Sequence, residues 1–125
     1  MHQVGVAPSS VDSIHFVGMD VPPHTTDGEL EEFNDFYSTV HVREALELTH
    51  CQRGTRFEPR WRPESHVARV PRFSTVYETD PDMARASEKA WAELGAHLGP
   101  DAFSPGPRAW EHKVPAWRVT YKRLA

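Results

Sequence analysis

Residues 29–48, ELEEFNDFYSTVHVREALEL, decide how the rest of the chain is read. At about 100° per residue, Leu30, Phe33, Tyr37, His41, Glu44 and Leu48 share one stripe of an α-helix, with Val40 at its edge. Glu31, Asp35, Ser38, Val42 and Leu46 fall elsewhere on the helix. Such a stripe faces a core, yet its middle carries a phenol, an imidazole and a carboxylate. Tyr37 lies four residues before His41 and Glu44 three after it, so each pair can touch. Titratable groups stand where a plain core helix would place leucine.

Upstream, Thr26-Asp27-Gly28-Glu29 predicts a capping box that starts this helix. Before it, Ile14 to Val21 is nearly continuous in apolar character, as in a strand covered on both faces. Its alternation sets His15, Val17, Met19 and Val21 on one face, and Pro22-Pro23 ends it. Residues 1–11 read as a loose arm.

Downstream, the stripe is lost after Thr49, and Gly54 is read as a turn or bulge. Thr55 to Trp61 predicts a second strand, on an edge or ending at a bulge because Pro59 cannot donate to a ladder. A loop over 62–72 leads to a third strand, Phe73 to Thr79. Asp80-Pro81 then caps a second helix, Asp82 to Leu98, with Ala84, Ser87, Trp91, Leu94 and Leu98 inward. Residues 101–111 form a Pro- and Gly-rich loop whose Phe103 and Trp110 pack down. Val114 to Leu124 is the last strand, again an edge by Pro115. Trp117, Val119 and Tyr121 share one face of it; Arg118, Thr120 and Lys122 share the other.

The order β-α-β-β-α-β predicts an α+β, ferredoxin-like antiparallel sheet with two helices on one face, as a single domain over 12–125. The opposite sheet face is aromatic and apolar in places, which predicts a second subunit covering it, hence a homodimer.

The chain of 125 residues is long enough to bury roughly two-thirds of its unfolded surface. A single cysteine, Cys51, rules out an internal disulfide and cysteine-based zinc binding. The net charge of −4 argues against a nucleic-acid partner. No apolar run approaches the roughly 20 residues of a membrane span, and the N-terminus lacks the features of a signal peptide. A cytoplasmic protein is the expectation. Eight histidines show neither HExxH nor a metal-binding pair on one helix, so no metal site is expected.

The run Phe33-Asn34-Asp35-Phe36-Tyr37-Ser38-Thr39-Val40-His41-Val42-Arg43-Glu44 resembles the dimeric α/β-barrel superfamily and, within it, the EthD-like proteins. Those families carry an aromatic–x–x–x–His run late in the first helix and a glycine before strand two, positions held here by Tyr37, His41 and Gly54. Arg56-Phe57-Glu58 and Val76-Tyr77-Glu78-Thr79 also resemble the pattern, and the match runs over residues 12–124. The usual Pro-Gly-Phe before strand two is replaced by His50-Cys51-Gln52-Arg53-Gly54. The resemblance implies a dimer and a pocket between sheet and helices. It spans polyketide cyclases, lactone isomerases, cofactor-free monooxygenases, haem-binding enzymes and proteins without a known reaction.

A neutral imidazole at His41 can take a proton from an acidic carbon or phenol and return it elsewhere. Glu44 is expected to orient it, and Tyr37 to donate to a substrate oxygen. The bland alternative is a core histidine bonded to a carbonyl and a core tyrosine with its hydroxyl at the rim. Phe33, Arg56, Tyr77, His15, Trp117 and Tyr121 are candidate substrate-binding residues, Arg56 standing in a strand amid an arginine-rich segment. These residues point to a cofactor-independent cyclase or isomerase acting on a small aromatic or polyketide-like molecule. Oxygenation of the same carbanion, haem held by His41, and a non-catalytic ligand-binding dimer are the alternatives.

Overall fold

The computed structural model describes residues 11–61, 70–94 and 102–124. Residues 1–10 of the expected arm, 62–69 of the expected loop and the expected end of the second helix lie outside them. Within the described residues, β1 (Ser13–Asp20) is central. It pairs with β3 (Phe73–Thr79) on one side and β4 (Val114–Lys122) on the other; β2 (Arg53–Phe57) adds to the outside of β3. Every pairing is antiparallel and the order is β2-β3-β1-β4, so the two proline-marked strands are the edges. The chain is an α+β protein with the β-α-β-β-α-β order. β2 lies earlier than expected and stops before Pro59, which has no N–H to continue the ladder.

Register decides which side chains meet the helices. His15 stands opposite Tyr77 and Thr120, and Val17 opposite Thr75 and Arg118. The pairing slips between Gly18 and Met19: Gly18 faces Trp117 and Met19 faces Pro115, leaving Ala116 as an extra residue. This bulge puts Pro115 and Arg118, three apart, on the same face. Trp117 and Tyr121, opposite Gly18 and Ile14, lie on the face away from the helices, where Trp117 stacks on Phe16 at 5.0 Å. The expectation that these two residues line a helix-side pocket is corrected accordingly. Gly18 is obligatory on that outer face: a Cβ there would lie 2.7 Å from Trp117 Cε2 and 2.8 Å from Pro71 Cγ.

The first helix begins as its sequence predicts. Thr26 Oγ1 accepts from the Glu29 N–H and Glu29 Oε1 accepts from the Thr26 N–H, both at 3.2 Å. Thr26→Ala should lower stability by about 1 kcal/mol, read as a fall in thermal midpoint; Thr26→Ser should restore it. After α1 (Asp27–Phe36) the helix widens into a π segment, Tyr37–His41, before resuming as α2 (Val42–Thr49). The Val42 N–H reaches back five residues to the Tyr37 carbonyl. Thr39 Oγ1 donates to the Asp35 carbonyl at 2.6 Å and Arg56 Nη1 to the Asn34 carbonyl at 3.3 Å, so side chains intrude on the helical ladder at the widening. The extra residue shifts the helical phase. Buried positions run Phe33, Tyr37, then Val42, Ala45 and Thr49, while Glu44 and Leu48 are only partly buried. Val42, expected off the stripe, is in the core for this reason.

The turn after α2 is made by His50, in the left-handed region at φ 61°, with its N–H on the Leu46 carbonyl. Gly54 is therefore no turn. It sits in β2 beneath α2, where a Cβ would lie 2.7 Å from Val42 Cγ1 and 3.2 Å from the Tyr77 ring. α3 (Ala84–Glu93) follows a single 3₁₀ turn, Pro81–Met83. Asp80 does not cap it with its side chain, which accepts instead from Arg53 at 3.4 Å. A short α4 (Arg108–Glu111) forms in the expected loop and drives Trp110 into the core. No helix among the described residues is long and apolar enough to cross a membrane.

Candidate functional site

Between the inner sheet face, the π segment, α3 and the residues around α4 lies a cavity of about 780 Å³. Val17, Met19 and Leu94 supply aliphatic wall; Trp91, Phe103 and Trp110 supply aromatic wall. Tyr37, His41, Tyr77 and Ser104 supply its uncharged polar groups, with Lys113, Arg118 and Glu111 its charged ones. Tyr37 and His41 reach it from the widened turn of the helix. Widened turns of this kind occur frequently at functional sites.

The His41 ring sits in an aromatic cage: Trp110 at 4.3 Å between centroids, Phe103 at 4.5 Å, and Tyr37 edge-on at 5.3 Å. Its Nδ1 is buried with no hydrogen-bond partner. Burial lowers its pKa to about 4, assisted by the nearby Lys113 charge, with Glu44 acting weakly the other way. His41 is thus neutral at pH 7. Glu44 does not orient it. Its carboxylate accepts from the Ser104 N–H at 2.9 Å and the Ser104 hydroxyl at 2.6 Å, pinning the segment that carries Phe103. Glu44 therefore ties that segment to the helix and acts on His41 through its charge.

Both tyrosines are enclosed, each 1% exposed. Tyr37 accepts from Thr75 Oγ1 at 2.8 Å, which leaves its own O–H free to donate. The Tyr77 hydroxyl lies beside the Tyr37 phenol, with which it interacts, and makes no hydrogen bond of good geometry. Burial raises both phenol pKa values, Tyr77 well above the ordinary value because the Tyr37 phenol adds to the effect. Both are un-ionised donors at neutral pH. A buried hydroxyl held only by such a contact recovers little of a desolvation cost of about 1–3 kcal/mol. Tyr77→Phe should consequently be neutral or stabilising in urea denaturation while weakening retention of an oxygen-bearing ligand.

Of the remaining predicted residues, Arg56 lies behind Tyr37 rather than in the cavity. Its guanidinium is 4.1 Å from the Tyr37 ring centroid and donates to Asn34 Oδ1 at 2.9 Å and Ser38 Oγ at 3.0 Å. It splints the widened helix and fixes Tyr37. Phe33, 0% exposed, packs on Tyr37, Phe73 and Trp110 as core. His15 is buried, stacked on Trp91 at 3.7 Å, with Nδ1 2.7 Å from Thr120 Oγ1. It borders a second hollow that shares the Trp91 wall. Burial, then Arg118, lowers its pKa to about 4.

The structure therefore brings Tyr37, His41 and Tyr77 together and separates them from Trp117 and Tyr121. Trp91, Phe103, Trp110, Lys113 and Arg118 join the cavity without having been singled out as site residues. Trp91 and Trp110 had an aromatic-core signal; Lys113 and Arg118 had none. Among the described residues, no cluster of three or more His, Cys, Asp or Glu side chains could hold a metal ion. No protein-family model matches the chain, and no curated protein shows significant similarity to it.

Proposed function

We propose that this chain is a cofactor-independent enzyme of the cyclase or isomerase type, moving a proton on a small aromatic or polyketide-like molecule held in the 780 Å³ cavity. One observation carries the reading. The cavity is lined by a neutral histidine whose buried Nδ1 makes no hydrogen bond and by two buried, un-ionised phenols, Tyr37 and Tyr77, set beside one another, a base and acid-side donors in one wall. His41 takes a proton from a carbon next to a carbonyl. The carbonyl oxygen gains the negative charge and accepts from Tyr77, with Tyr37 as the second donor. Return of the proton to a different carbon gives an isomer. Attack of the carbanion on a second carbonyl, with the proton delivered to the new alkoxide, closes a ring. The resemblance of Tyr37–His41 and its surroundings to EthD-like proteins supports the same reading.

The measurement is hydrogen exchange. Aromatic β-diketones in D₂O should lose their acidic C–H signal faster with the protein than without it, from pH 5 upward. The rate should fall as pH drops through about 4, where the free His41 base becomes protonated. Protein that binds such compounds without accelerating exchange would be a ligand-binding module instead. A Soret band from the purified protein would move the reading to haem.

The chain is further proposed to work as a homodimer through the outer sheet face. Phe16, Val119 and Trp117 are incompletely buried there, and Tyr121 and Phe57 are 55% and 53% exposed. Light scattering should give about twice 14.2 kDa, and Val119→Lys should halve that mass.

A further inference from the structure

The charges around the cavity do not follow those of the chain. The chain carries −4 overall, yet the charged side chains lining the cavity are Lys113, Arg118 and Glu111. Glu111 already accepts from the Gly106 N–H at 2.6 Å. Lys113 Nζ lies 3.9 Å from the Trp110 ring centroid and donates to the Trp110 carbonyl at 3.2 Å, which leaves two of its three N–H bonds uncommitted. Arg118 lines the cavity from β4, opposite Val17 of β1. The remaining walls are largely apolar and aromatic. Cations beside an apolar slot select a ligand with an apolar body and an anionic end.

We infer that the cavity takes a flat, largely apolar molecule bearing one carboxylate, seated with that carboxylate against the Lys113 ammonium. The inference rests on the proposed function for the identity of the cavity and goes beyond it in naming the ligand's charge. Arg118 supplies the same sign of field from within β4. The arrangement also bears on the base. Burial and the Lys113 charge hold His41 low, Arg56 adds slightly, and Glu44 opposes them. A ligand carboxylate paired to Lys113 offsets that cation's pull on His41. The Tyr37 phenol, the other titratable group on the ring, stays un-ionised throughout.

Calorimetric titration of the full chain with 2-naphthoate and with its neutral isostere 2-naphthamide, at pH 7 and low salt, tests the inference. Naphthoate should bind at least tenfold tighter. Lys113→Gln should remove that preference while leaving the amide's affinity within twofold, and Lys113→Arg should keep most of it. Added salt should erode the preference. Equal affinities for the two probes would overturn the inference and leave the cavity reading standing. Absence of binding by either probe to wild-type protein would overturn both. If Lys113→Gln fails to fold, the wild-type ratio of the two affinities still decides.

Discussion

His41→Ala should lower any proton-exchange rate by at least 10²-fold, the scale of a lost general base, with the fold retained. His41→Leu should lose the same activity and gain stability. The two variants separate chemistry from packing. Alanine removes the base and leaves a gap between Trp110 and Phe103; leucine removes the base, refills part of the gap and deletes a buried nitrogen without a partner. Kinetics and urea denaturation on both would settle the role of this residue. A leucine variant that unfolds, with wild-type protein catalysing no exchange, would make His41 structural and end the catalytic proposal. A hydrogen-exchange pH profile with no acid limb would do the same for its role as the base.

Acid should destabilise the protein over a window set by two histidines. His15 and His41 are both held at about 4, against 6.5 for the free side chain. Below 6.5 the unfolded chain takes up protons that the folded chain refuses until about 4. Stability is therefore full above 6.5 and drains away as the pH falls between these values, by about 2–3 kcal/mol per histidine. Denaturation curves at pH 7 and pH 4.5 should show the loss, and combining His15→Phe with His41→Leu should flatten most of it. Glu29 and Glu44, whose pKa values are lowered by hydrogen bonds to Thr26 and Ser104, contribute only at the acid end of the range. A slope unchanged in the double variant would place the acid sensitivity in the carboxylates instead.

Local chemistry was the legible part of this fold. Thr26 and Glu29 announce a helix start because both partners of the cap lie within four residues, and Phe73–Thr79 announces a strand by composition alone. The prolines at 59 and 115 marked the edges because a missing N–H has one consequence in any sheet. Less local facts were hidden. A 3.6-residue stripe drawn through Tyr37 and His41 fits an unbroken helix, so nothing in residues 29–48 shows the widening or the burial of Val42. Alternation grouped Trp117 with Tyr121 correctly, but which side of β4 meets the helices depends on its register against β1 and on the bulge at Ala116. Glu44 finds its partner in Ser104, sixty residues on, and no helical wheel contains that segment.

The widened turn also makes the first helix two instruments tuned separately. Upstream of Tyr37 its phase is set by Phe33 against Phe73 and Trp110; downstream it is set by Val42 above Gly54 and by Thr49, whose hydroxyl lies 3.3 Å from Cys51 Sγ. Removing one residue between Ser38 and Val40 would restore an uninterrupted ladder, with Val42 four residues after Tyr37 and both halves in their present phase. Tyr37 and His41 stand at the two ends of that joint, so the spacing of phenol and imidazole is a matter of chain length as much as of composition. A homologue could alter its chemistry here by losing a single codon, while every residue that packs the sheet stayed the same.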